Sequence, residues 1–173
     1  VAPLWLAGRW HGQGFFVRAL VGVLVILPTW AATVVLREQD PLLLLGVMAL
    51  VWIADSAAYF AGRRFGRHKL APAISPGKSW EGVAGAALAL VLYASAISAA
   101  IIGLRIPGAL ILAAALLYFS ILGDLFESWM KRLAGMKDSG SLLPGHGGVL
   151  DRIDALCAAL PIAAGILHFA KWP

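Results

Sequence analysis

Five apolar stretches, each close to the length that carries a helix across a bilayer, leave this chain few ways to fold. They run from about Arg18 to Leu36, Leu42 to Gly62, Glu81 to Gly103, Gly108 to Phe126 and Arg152 to Phe169. A helix needs about 20 mostly apolar residues to cross a hydrocarbon core about 30 Å thick. In lipid, every backbone N–H and C=O must also find its partner within the protein, which a helix achieves alone. The expectation is an all-α fold: a polytopic membrane helix bundle with about five transmembrane spans. Only 13% of the residues are charged, against about 25% in soluble domains. Pro28 lies in the middle of the first span and predicts a kink there. Trp5, Trp10, Phe15 and Phe16, interspersed with Arg9 and His11, read as a linker or an interfacial segment ahead of it.

Orientation follows from Lys and Arg, which concentrate in cytoplasmic loops. Arg9, Arg18, Arg63, Arg64, Arg67, Lys69, Lys78, Lys131, Arg132, Lys137 and Arg152 fall on one side of the five-span arrangement, and only Arg37, Arg105 and Lys171 on the other. The two long polar loops are therefore expected to face the cytoplasm together, from the cytoplasmic (inner) membrane. The net charge of +5 is spread between apolar runs and forms no single basic face, which argues for anionic headgroups and against nucleic acid. Cys157 is the one cysteine, so no disulfide forms within the chain and no cysteine-based metal site is readable. The chain starts at Val1 without a signal-peptide pattern and is expected to be a fragment.

Residues 124–154 stand apart. Five of the nine carboxylates gather there (Asp124, Glu127, Asp138, Asp151, Asp154), with Lys131, Arg132, Lys137, Arg152 and a Gly145-His146-Gly147-Gly148 turn. Carboxylates hold hard cations such as Mg2+, Lys and Arg hold phosphate oxygens, and glycine turns let backbone N–H groups approach an anion. Those are the requirements of phosphoryl chemistry. Asp124, Glu127, Ser128, Lys131 and Arg132 recur at the spacing of one helix face. Taken alone, that face also fits a solvated helix end with acid–base pairs. Asp151 and Asp154 open the next span, however, and antiparallel spans four and five can bring Asp124 and Asp151 together as a metal site. His146 reads either as an acid or base or as a structural loop residue.

Two other features carry polar chemistry. Asp55 lies inside the second apolar span, where a carboxylate is costly and is expected to face the protein interior. Ser75-Pro76-Gly77-Lys78-Ser79 lacks the P-loop pattern, because Pro72 occupies the position that requires glycine. A Gly-Lys-Ser turn ahead of a helix can still bind phosphate through Lys78 and the helix N-terminus.

From Ser128 through Lys131-Arg132, Lys137-Asp138-Ser139-Gly140, Pro144-Gly145-His146-Gly147-Gly148 and Asp151-Arg152 to Asp154, the chain closely resembles the signature of the phosphatidate cytidylyltransferases, or CDP-diacylglycerol synthases. The stretches Asp55 to Arg63 and Lys69 to Gly82 resemble the same family. The resemblance covers nearly everything from about residue 50 onward. It implies Mg2+-dependent transfer of a cytidylyl group from CTP to phosphatidic acid at the cytoplasmic membrane face, with a second cation and a homodimer as further expectations. Members usually carry additional N-terminal spans, so residues 1–173 are expected to form a single membrane-embedded catalytic domain lacking those spans.

Residue by residue, the resemblance assigns metal binding to Asp124 and Asp151. It gives phosphate neutralisation to Lys131, Arg132, Lys137 and Lys78, and close substrate contacts to Ser75, Gly147, Gly148 and Arg152. Asp55, Asp138 and His146 are expected to shape the site or take part in it. A related CTP-dependent lipid kinase is the nearest alternative. A small ion-coupled transporter, with Asp55 and Asp124 as coupling residues, is the alternative of another class; the paired interrupted helices it calls for are not seen in the sequence.

Overall fold

The structure, a computed structural model, describes residues 15–98, 105–133, 135 and 150–169, with the backbone alone at 15, 17, 18 and 150–152. Five helices and one hairpin follow in order: α1 (Phe15–Gln39), α2 (Pro41–Phe65), β1 (Lys69–Ala71), β2 (Ser75–Ser79), α3 (Trp80–Ile97), α4 (Ile106–Leu133) and α5 (Leu150–Phe169). Stretches of α1, α2, α3 and α4 are long and apolar enough to cross a membrane, and α5 carries a shorter apolar run, Ile153–Phe169. The fold is the expected all-α, polytopic membrane bundle.

Local chemistry sets the helix boundaries. Asp40 caps α2, its side chain accepting a hydrogen bond from the backbone N–H of Leu42 at 2.8 Å. Pro41 follows at a position where a missing N–H costs nothing. One residue therefore turns the chain between α1 and α2. Pro28 sits inside α1, which is assigned as one helix from Phe15 to Gln39.

The bundle centre is aliphatic: Leu36, Leu43, Leu50, Leu112, Leu116 and Leu167 are fully buried. Leu20, Leu24, Leu27 and Trp30 of α1 are exposed, as suits side chains that meet lipid and not water. Small residues set the closest approaches. A Cβ on Gly85 of α3 would lie 2.4 Å from the Cβ of Ala61 on α2, and one on Gly82 would lie 2.8 Å from the carbonyl of Ala58. Between α4 and α5, a Cβ on Gly123 would lie 2.7 Å from the Cβ of Ala158 and 3.0 Å from the carbonyl of Asp154.

The polar segment 63–80, one of the two polar loops expected between spans, holds regular structure. Helix α2 continues to Phe65, and an antiparallel hairpin pairs Lys69 with Ser79 and Ala71 with Ser75, with an irregularity between the two pairs. Pro72 opens its turn, closed by the N–H of Ile74 on the carbonyl of Ala71 at 3.2 Å. Pairing gives the backbone of this segment partners that a loose loop would lack.

Candidate active site

A cavity of about 1120 Å3 opens between the hairpin and helices α2, α3, α4 and α5. Its lining changes character along its length. Met48, Trp52, Leu117 and Leu156 form an apolar wall within the bundle, while Asp55, Lys78, Asp124 and Asp154 line its polar part. It thus joins an apolar compartment to a charged one.

Lys78 reaches the cavity because two structures meet at Ser79. Ser79 is the last residue of β2 and also the cap of α3, with its hydroxyl accepting from the N–H of Gly82 at 3.2 Å. A second tie fixes the other strand. The backbone N–H of His68 donates to the Glu81 carboxylate at 3.2 Å, and its ring Nδ1 lies 2.7 Å from Glu81 Oε1. The N–H of Trp80 returns a bond to the carbonyl of His68 at 3.0 Å. The hairpin is thereby fastened to the first turn of α3.

Lys78 Nζ forms an ion pair with Oδ2 of Asp124 on α4, and Oδ1 of Asp124 accepts from Ser128 Oγ at 3.3 Å. The pair sets the hairpin and the polar end of α4 at one end of the bundle. Asp55 from α2 and Asp154 from α5 complete the cluster, close enough to Asp124 and Lys78 to act on them electrostatically. Gly123 makes this possible: its lack of a side chain lets α5 approach at the level of Asp154. Along α4, Glu127 is buried and pairs with Lys131 at 3.4 Å.

Of the residues singled out from sequence, Asp55, Ser75, Lys78 and Asp124 come together in the cavity. Lys131 and Arg132 occupy the last turn of α4 and do not line it. Asp151 and Arg152 fall in the first turn of α5, but their side chains lie outside the described residues, as do Lys137, Asp138, His146, Gly147 and Gly148 altogether. Asp154, Tyr59 and Arg63 line the cavity as well, without a role from the sequence. The spacing held a signal for each, since Asp154 stands three residues after Asp151 while Tyr59 and Arg63 follow Asp55 at four and eight.

The carboxylates suit a hard divalent cation in chemistry, because oxygen donors are what Mg2+ takes. Three acidic groups share the polar part of the cavity, where their mutual repulsion favours a bound cation. Among the described residues, no three acidic or imidazole side chains close on one point.

The model of the cytidylyltransferase family matches residues 6–170. The chain is 50% identical over 170 residues to a phosphatidate cytidylyltransferase of Pseudomonas aeruginosa, covering 95% of this chain and 60% of that protein. It is 57% identical over 132 residues to one of Haemophilus influenzae, covering 73% of this chain and 46% of that protein. A phosphatidate cytidylyltransferase of Thermotoga maritima is 43% identical over 127 residues, covering 68% and 46% respectively. The chain thus spans about half the length of the curated relatives it matches. With the match running across nearly all of its residues, this chain belongs to the cytidylyltransferase family.

Proposed function

We propose that this chain transfers a cytidylyl group from CTP to phosphatidic acid, giving CDP-diacylglycerol and pyrophosphate. The observation that carries the reading is the two-part cavity, with an apolar wall of Met48, Trp52, Leu117 and Leu156 leading to Asp55, Lys78, Asp124 and Asp154. A diacyl lipid needs the first part, and two phosphate-bearing substrates need the second. The relatives, which are phosphatidate cytidylyltransferases, support the choice of nucleotide and lipid.

In this mechanism a phosphate oxygen of phosphatidate attacks the α-phosphorus of CTP. The bond from that phosphorus to the bridging oxygen of the β-phosphate breaks, and pyrophosphate leaves. The attacking phosphate monoester is already anionic near neutral pH, so positioning and charge neutralisation dominate over proton abstraction. Lys78 neutralises phosphate oxygens from the hairpin, and Ser75 contributes a polar contact from the same strand. Asp124 and Asp154, with Asp55 beside them and Asp151 at the start of α5, would hold Mg2+. Bound there, the ion supplies neutralisation of the charge on the reacting phosphates. The low polarity of the surrounding helices strengthens each of these interactions. The site faces the cytoplasm of the inner membrane, as the distribution of Lys and Arg supports.

The test is incorporation of label. Membranes containing the chain are incubated with Mg2+, phosphatidic acid and CTP labelled at the α-phosphate. Label is expected in the lipid fraction, and none in an Asp124→Asn variant. In a parallel incubation with CTP labelled at the γ-phosphate, entry of that label into the lipid fraction would mean a lipid kinase and overturn the reading.

A further inference from the structure

Among the residues that helix α2 contributes to the cavity, Met48, Trp52, Asp55, Tyr59 and Arg63 follow one another at the three- and four-residue spacing of a single face. Chemistry along it is graded from apolar to acidic to phenolic to cationic. Arg63 lies eight residues beyond Asp55, about 12 Å along the helix axis. Its Nη1 donates to the phenol oxygen of Tyr59 at 3.0 Å, which aims the guanidinium from one turn below. That bond uses one of five N–H donors. The ion pairs among the described residues are His68–Glu81, Lys78–Asp124 and Lys131–Glu127. Arg63 and Lys69, which both line the cavity, therefore have no carboxylate partner among the described residues.

An aimed guanidinium and an ammonium on one cavity wall offer donors to phosphoryl oxygens, set apart along the helix from Asp55. Both reacting phosphates must meet at the acidic end. The phosphates that need not be there are the two terminal ones of the nucleotide. We propose that Arg63, oriented by Tyr59 and joined by Lys69, binds the β- and γ-phosphates of the nucleoside triphosphate and holds the departing pyrophosphate. This assignment rests on the proposed cytidylyl transfer for the identity of the triphosphate, but the anion site itself does not. A lipid headgroup phosphate is the other source of the same chemistry.

The full chain in detergent micelles is titrated with inorganic pyrophosphate, and the KM for CTP and for phosphatidate is measured separately. Arg63→Gln is expected to raise the Kd for pyrophosphate and the KM for CTP about tenfold or more, as loss of a charged hydrogen-bonding partner does. The KM for phosphatidate should stay within about twofold. Tyr59→Phe, which leaves the charge but removes its orienting partner, should show a smaller rise in the same two constants. Arg63→Lys, which keeps the charge without the fork, should fall between wild type and Arg63→Gln and serves if the latter does not fold. A rise confined to the KM for phosphatidate would assign Arg63 to the lipid and overturn the nucleotide assignment. Unchanged pyrophosphate binding in both Arg63 variants would overturn the anion site, whether or not the chain turns over CTP.

Discussion

Lys78 on β2 and Asp124 on α4, 46 positions apart in the chain, are joined as an ion pair at the cavity wall. Their side chains keep 23% and 30% of their exposure, so solvent screens the pair and its contribution to stability is about 1 kcal/mol or less. Its importance is for chemistry. Asp124→Asn and Lys78→Met should each reduce cytidylyl transfer at least about 100-fold, while the thermal midpoint in detergent moves by only a few degrees. Full transfer in either variant would remove that residue from the mechanism.

Dependence on Mg2+ should track the same cluster. Chelation with EDTA should abolish transfer and added Mg2+ restore it. Asp154→Asn should raise the Mg2+ concentration needed for half-maximal activity more than it raises the KM for CTP. A metal requirement that is identical in Asp154→Asn and wild type would place the cation elsewhere.

Gly123 is predicted to tolerate no side chain. In Gly123→Ala the added methyl meets Ala158 and the carbonyl of Asp154, which forces α4 and α5 apart at a cost of about 1–3 kcal/mol. The displaced Asp154 should also lower activity beyond what the loss of folded protein explains. Gly22→Ala is the control: nothing lies within 4 Å of the new methyl, so helix propensity alone should stabilise α1 by about 0.5–1 kcal/mol. Paired thermal melts and transfer assays read both.

Ser79→Ala removes the α3 cap and should cost about 1 kcal/mol. Because the same residue ends β2, activity should fall through displacement of Lys78. Ser79→Thr, which keeps the hydroxyl, should recover most of the loss. An active Ser79→Ala protein with only its stability lowered would separate the cap from the site.

The spans were legible because lipid leaves the backbone no alternative to the helix. Their ends were not, because polar residues continue a helix once it reaches water. Helix α2 runs past Gly62 to Phe65, and α4 runs past Phe126 to Leu133. The hairpin was hidden for a different reason. Its strands are three and five residues long, and Pro76 and Gly77 within β2 are poor strand formers. Docking to α3 through Ser79 and Glu81, not propensity, forms it. At the site, Asp55 announced itself by being charged within an apolar run. Asp154 did not stand out from Asp151, since spacing alone does not say whether an acid in the first turn of a helix faces inward.

The cavity draws its wall from Met48 to Leu156, from the second helix to the fifth. Synthesis proceeds from the N-terminus, so Asp55 enters the membrane before Lys78, Asp124 and Asp154 exist to keep it company. Until α5 arrives, α2 carries an acidic group with an incomplete setting in hydrocarbon, a costly arrangement. Closure of the cavity thus has a built-in order: α5 is the keystone, and a ribosome that stops short of residue 150 releases a chain in which helices can span the membrane but the cavity lacks its wall of Ile153, Asp154 and Leu156.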